Sequence, residues 1–187
     1  MIKVSLLGDS IRQIGYGTKV PELLGKDFEV FQPADNCRFA KYTLRGLFDW
    51  REGMEGSRIV HWNNGLWDVS DLFGDGPFSS PEEYKATMLR IADILQKRHE
   101  IVIFATTTPV RSDNAFNKNS VIAAYNAMLV PLFKERGILI NDLGATVSRD
   151  VESYIRADDR IHLTDAAIDL CAGQVADCIL NAAKLLK

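Results

Sequence analysis

At 187 residues, with 47% hydrophobic and 25% charged residues, the chain is long enough for one domain with a substantial core and too apolar to be disordered. Its net charge is −3 with no basic block, so the footprint of a protein that binds nucleic acid by neutralising phosphates is missing. Cys37, Cys171 and Cys178 have no metal-type spacing, and no apolar run approaches the ~20 residues of a membrane helix, so no metal, cofactor or membrane partner is expected.

In chain order, Met1–Leu7 is short, apolar and partly β-branched, which reads as a buried strand ending at Gly8. The direct entry into a strand predicts a cytoplasmic protein, or a secreted or periplasmic one if a signal segment has been removed. Residues 13–24 predict an irregular helix, interrupted by Gly15, Gly17 and Pro21. A second strand, Phe28–Phe31, ends in a polar turn through Cys37. Residues 39–50 have helical spacing, broken after by Gly53 and Gly56. A third strand, Ser57–Trp62, leads to Asn63-Asn64-Gly65 and a loop rich in Asp, Gly and aromatics, 66–78.

Ser80, Pro81 and Glu83 together signal the start of a helix that runs to about Arg98. Ile101–Ala105 is the clearest buried strand and ends in Thr106-Thr107-Thr108-Pro109. A helix from about Ser120 to Arg136 is closed by Gly137. Ile138–Ile140 is a fifth strand. A variable stretch holding Asp158-Asp159-Arg160-Ile161-His162 follows, and Thr164 caps a last helix to Leu186. Strand and helix alternate five times. This predicts a single α/β domain over 1–187, a three-layer α/β/α sandwich whose five-stranded parallel sheet has the order 2-1-3-4-5.

Gly8-Asp9-Ser10, Asp35-Asn36, Asn63-Asn64-Gly65 and Thr106-Thr107-Thr108 each follow the C-terminal end of a strand. In a parallel sheet those ends share one edge, where ligands bind. His162, just before the last helix, can reach the same edge. Ser10 therefore reads two ways, as an N-cap or as a nucleophile awaiting a base. Acyl transfer needs such a set: a hydroxyl, a base held in one tautomer by an acceptor, and preplaced donors for an oxyanion.

Gly8-Asp9-Ser10 near one end of the chain, with Asp159-x-x-His162 near the other, resembles the SGNH (GDSL-type) hydrolases, and the resemblance spans Lys3 to Leu186. It implies Ser10 as nucleophile, His162 as base and Asp159, not Asp158, as the carboxylate orienting it. In that family the serine's backbone amide, a glycine after the second strand and an asparagine after the third form the oxyanion hole. This chain departs twice. Asn36 stands where the glycine is usual, and Asn63-Asn64-Gly65-Leu66-Trp67-Asp68 replaces Gly-x-Asn-Asp. The latter is similar to a bacterial variant in which the asparagine precedes the glycine, which selects Asn63 as donor with Asn64 behind it.

The remaining polar and aromatic residues carry plainer readings beside functional ones. Asp9 reads as a brace for its loop or as a substrate contact. Asn64, Trp62 and Trp67 are further candidates for substrate contact. With Phe73, the two tryptophans form either core packing or a sugar-stacking wall. His61 reads as a core histidine, and His99 as a cation at a helix end. Arg38 reads as a surface charge or as a bracket for the turn after the second strand. The resemblance implies a serine esterase that releases a short acyl group, acetyl first, from a small-molecule ester such as an acetylated sugar. The two departures motivate an alternative, a non-catalytic ligand- or carbohydrate-binding domain on the same fold. A flavodoxin-like phosphate or flavin binder would leave Asp159 and His162 without a role.

Overall fold

Short apolar runs joined by helical stretches can pair in parallel only by crossing over a sheet face. The computed structural model describes residues 1–186 and has this architecture. β1 (Ile2–Leu7), β2 (Phe28–Phe31), β3 (Ile59–Trp62), β4 (Ile101–Ala105) and β5 (Leu139–Asn141) form one sheet in the order β2-β1-β3-β4-β5, every pair parallel. The order is the one expected from the alternation of elements.

The helices are α1 (Val20–Leu24), α2 (Ala40–Asp49), α3 (Arg51–Met54), α4 (Pro81–Arg98), α5 (Asn119–Glu135), α6 (Leu143–Ser148), α7 (Val151–Tyr154) and α8 (Asp165–Ala183). α1 and α6 pack with α8 in one layer, and α2 and α5 pack with α4 in the other. Because both faces are covered, all four residues of β3 are buried, His61 included. α4 opens with a full capping box: Ser80 accepts the Glu83 N–H, and the Glu83 side chain returns to the Ser80 N–H.

Three segments differ from the sequence reading. Residues 11–24 form a π-helical turn over Ile11–Gly15, a 3-10 turn over Tyr16–Thr18 and then α1, with Pro21 in its first turn. The variable stretch holds α6 and α7, whose N-caps are Asp142 and Asp150. Each accepts a backbone N–H three residues on, from Ala145 and Ser153. α8 corrects the expectation from composition that no apolar run approaches membrane length. At 19 residues and a mean hydropathy of 1.2 it is long and apolar enough to cross a membrane. Here Ala167, Cys171, Ala172, Val175 and Ile179 bury its apolar face in the core.

Candidate active site

β1 stops at Leu7, and the next turn is shaped by what surrounds Gly8. The Gly8 N–H donates to Cys37 Sγ at 3.2 Å, and the Gly8 carbonyl accepts from Arg12 and from the Cys37 N–H. A Cβ at Gly8 would lie 2.1 Å from Asn63 Oδ1, so only glycine lets β1 and β3 end this close together. Asp9 is wholly buried, and its Oδ1 accepts the Ile11 N–H at 2.9 Å. Burial raises its pKa, opposed by the Ile11 N–H, the Asn63 side chain and the Arg12 charge. Asp9 braces the loop and cannot touch a substrate, which corrects its reading as a contact residue.

Ser10 has helical backbone angles, φ −62° and ψ −25°, and its side chain makes no capping hydrogen bond. The N-cap reading therefore does not hold. Its hydroxyl instead lies 2.9 Å from His162 Nε2. His162 Nδ1 lies 2.9 Å from Asp159 Oδ2, and both side chains are partly exposed. Asp159 Oδ1 accepts the backbone N–H groups of Ile161 (3.0 Å) and His162 (2.9 Å). Burial works to raise the Asp159 pKa, but those two N–H groups and the imidazole overcome it and bring it to about 2. Asp158 points away and pairs with Arg156 at 3.0 Å on the surface.

The loop that presents His162 is tied down at both ends. Ile155 and Leu163 form an antiparallel bridge, and the Arg156 N–H donates to the His162 carbonyl at 2.8 Å. Arg160 takes a left-handed φ of 64°, and its carbonyl accepts the Arg111 N–H at 3.1 Å. Arg111 also donates to the carbonyl of Ile155 at 2.8 Å, so the loop after β4 buttresses the imidazole.

The two asparagines after β3 point to different surroundings, as strand alternation requires. Asn63 is buried beside Gly8, and its Oδ1 accepts the Tyr16 hydroxyl at 2.9 Å. Asn64 is committed to structure. Its Oδ1 accepts the Trp62 indole N–H at 2.8 Å, and its amide donates to the Arg38 carbonyl at 2.8 Å. It is wholly buried, which corrects its reading as a substrate contact. Trp62 is corrected likewise: it is buried in the core against Phe104 and Phe133, with ring centroids 5.2 and 5.5 Å away. Asn36 lines the cavity beside Ser10, and its Oδ1 accepts the Arg38 N–H at 2.8 Å. Arg38 brackets that turn through its backbone at φ 50°, while its guanidinium lies over the Tyr42 ring, 4.7 Å from the centroid.

No protein-family model and no curated protein matches the chain by sequence. Solved structures do match by shape. An acetyl xylan esterase, AlAXEase, superposes with a TM-score of 0.75 at 21% identity, covering 97% of this chain and 99% of its own. The lipase/acylhydrolase from Enterococcus faecalis gives a TM-score of 0.79 at 16% identity, covering 97% of each chain. A member of the lipolytic protein G-D-S-L family from Veillonella parvula gives 0.77 at 14% identity, covering 96% of this chain and 99% of its own.

The chain shares the α/β/α fold of these esterases and acylhydrolases. On this fold two grooves meet at Ser10 and His162. One, of about 530 Å³, is lined by Ile14, Arg156, Thr164 and Asp165. The other, of about 490 Å³, is mostly apolar and includes Trp67. Of the three aromatics flanking the third-strand loop, Trp67 alone lines it. Phe73 is 84% exposed and lies outside it.

Several residues of this edge were silent in the sequence. Arg12 is buried and donates to the carbonyls of Gly8 (3.2 Å), Pro33 (3.0 Å) and Asp35 (2.7 Å), clamping the turns after β1 and β2 together. Its one signal is its place four residues after Gly8, one helical turn on. Tyr16 carries no signal, since its hydroxyl acts on a residue 47 positions away. Asp68 is wholly buried and accepts the Ala40 N–H (3.0 Å) and the Ser79 hydroxyl (2.8 Å). Burial pushes its pKa up, those hydrogen bonds offset part of the rise, and it reaches about 7. His61 is driven down to about 3 by burial, with Nε2 facing the Asn141 amide at 3.0 Å. His99 is lowered by burial too, its Nδ1 at 2.7 Å from the Ser57 carbonyl, so burial works against the helix-end cation that its position predicts.

Proposed function

We propose that the protein is a serine ester hydrolase acting on small carboxylic esters through Ser10, His162 and Asp159. The continuous pair of contacts from Ser10 Oγ to His162 Nε2 and from His162 Nδ1 to Asp159 Oδ2, each 2.9 Å, carries this reading. As Ser10 Oγ bonds to the ester carbon, its proton passes to His162 Nε2. Asp159, ionised at every working pH with its pKa near 2, holds the other ring nitrogen as an N–H and stabilises the imidazolium.

Charge then gathers on the former carbonyl oxygen. The Ser10 N–H, the turn at Asn36 and the Asn63 amide are the donors assigned to it, Asn63 having its Oδ1 engaged by Tyr16. His162 returns the proton to the leaving alcohol as the C–O bond breaks. Water repeats the sequence on the acyl-enzyme, giving the acid and free Ser10. Acetyl esters, acetylated sugars among them, are the first class to assay, supported by the name of the AlAXEase neighbour.

A fluorophosphonate probe followed by peptide mapping tests the proposal. One adduct, on Ser10, absent from Ser10→Ala, is expected. A wild-type protein that stays unlabelled while hydrolysing no ester would favour the non-catalytic binding domain.

A further inference from the structure

The apolar groove beside Ser10 is larger than an acetyl group requires and is built from four separate segments of the chain. Phe39 comes from the turn into α2, Trp67, Leu72 and Phe78 from the loop after β3, Phe116 from the loop after β4, and Ile161 from the histidine loop. Trp67, Leu72, Phe78 and Phe116 are each 43–50% exposed, and Phe39 and Phe78 stack with centroids 5.0 Å apart. Single exposed apolar residues need no explanation, but a continuous patch converging on a nucleophile is a binding surface.

Away from Ser10 and His162, the polar side chains in this wall are largely engaged, with the Asn36 amide nitrogen left over. Ser70 Oγ donates to the Leu66 carbonyl at 2.8 Å and lies 3.2 Å from Asn117 Oδ1. Asn117 Nδ2 donates to the same carbonyl at 2.8 Å. Asn36 Oδ1 is held by the Arg38 N–H. A sugar ring placed here would leave hydroxyls without partners, at a cost for each one desolvated. An aromatic ring or an alkyl chain would lose nothing and would cover the exposed rings. The groove on the other side of Ser10, with Arg156, Thr164 and Asp165, suits the polar remainder of the ester and the entering water.

Resting on the esterase reading, we propose that this chamber is a specificity site for an uncharged apolar group of the ester, an aromatic ring or a chain of about six to eight carbons. The group can belong to the acyl or to the alcohol half, and the two arms of the test separate these sources. One arm varies the acyl chain from acetate to octanoate with a fixed p-nitrophenyl leaving group. The other keeps acetate and varies the alcohol from ethyl to hexyl and 2-naphthyl, with an acetylated xylo-oligosaccharide as comparison.

kcat/KM is expected to rise in one arm by up to about fourfold per added methylene, the factor for full burial of each. Trp67→Ala and Phe116→Ala should each cut the ratio of long-chain or aryl to smallest substrate by tenfold or more. Both positions are half-exposed, so the variants fold. Rates flat across both arms, a ratio unchanged in both variants, or a preference for the acetylated sugar would overturn the proposal. A binding measurement separates its failure from failure of the esterase reading. Calorimetric titration of Ser10→Ala with unreactive 2-naphthol should show saturable binding that Phe116→Ala weakens at least fivefold. Absence of binding would sink the chamber whether or not Ser10 takes the fluorophosphonate.

Discussion

The contact between Ser10 and His162 joins residues 152 positions apart and makes the sharpest predictions. Ser10→Ala should abolish ester hydrolysis and leave the unfolding temperature unchanged, since the hydroxyl caps no helix; near-normal turnover in a folded variant would refute the nucleophile. Asp159→Asn should reduce turnover by roughly 10⁴, or less if water substitutes, whereas Asp158→Asn loses a surface pair with Arg156 and should leave turnover intact. The reverse ranking would move the orienter. Asn63→Ala is expected to cost ~10²–10³ in turnover with little change in KM, because a ground-state carbonyl carries less charge than the oxyanion. Asn64→Ala should instead lose stability, on the order of 1–3 kcal/mol, as the Trp62 indole and the Arg38 carbonyl are left unpaired. Tyr16→Phe should reproduce a weaker form of the Asn63 defect, with kcat lowered about tenfold and KM steady. Turnover and melting curves for the three variants side by side decide between positioning and mere bracing.

At the scale of elements, the site is an agreement among turns. Gly8 permits Asn63 to approach, and Gly65, at φ 154°, faces Thr107, whose Oγ1 would stand 2.0 Å from an added Cβ. Arg12 then locks the turn after β1 onto the turn after β2. Arg12→Ala should destabilise the protein by roughly 3 kcal/mol or more, because several buried carbonyls lose their donor at once. It should also depress kcat in whatever fraction remains folded, since Asn36 and Cys37 sit on the turn it holds. An Arg12→Ala protein with unchanged urea midpoint and full turnover would show that the clamp is ornamental. Capping side chains mark four helix starts in this chain, at Ser80, Asp142, Asp150 and Thr164. Asp142 and Asp150 announce α6 and α7, which were missed because neither helix is long enough to display a hydrophobic period.

For the molecule as a whole, two buried groups set opposite responses to acid. His61 stays neutral in the fold down to about pH 3, whereas an unfolded histidine takes up a proton near ~6.5. Its contribution is complete above that value and lost as pH falls. Asp68 keeps its proton in the fold up to about pH 7, whereas an unfolded aspartate releases it near ~3.9. Its contribution is complete below that value and lost as pH rises. Between about pH 4 and 6.5 the two slopes oppose each other. Asp68→Asn should therefore make the unfolding temperature climb more steeply with pH across that window, and His61→Gln should make it climb less steeply or fall. Identical pH profiles for the three proteins would show that neither group is titrating as its burial requires.

Alternating apolar and helical segments determined the sheet order, because parallel strands with right-handed crossovers leave few topologies and put every polar strand end on one edge. The spacing of Asp159 and His162 likewise determined their pairing, since a turn of three residues brings the two side chains together by itself. The tertiary structure decided what local pattern cannot encode. Trp62 and Trp67 are equally apolar and five residues apart, yet one fills the core and the other lines the groove beside Ser10. Asn63 and Asn64 are chemically identical; alternation turns them apart, and only the tertiary structure decides that one meets Tyr16 and the other Trp62 and Arg38. The apolar chamber has no sequence signature at all, because Phe39, Trp67, Phe116 and Ile161 become neighbours only when the loops after β2, β3 and β4 and the histidine loop converge on that one edge.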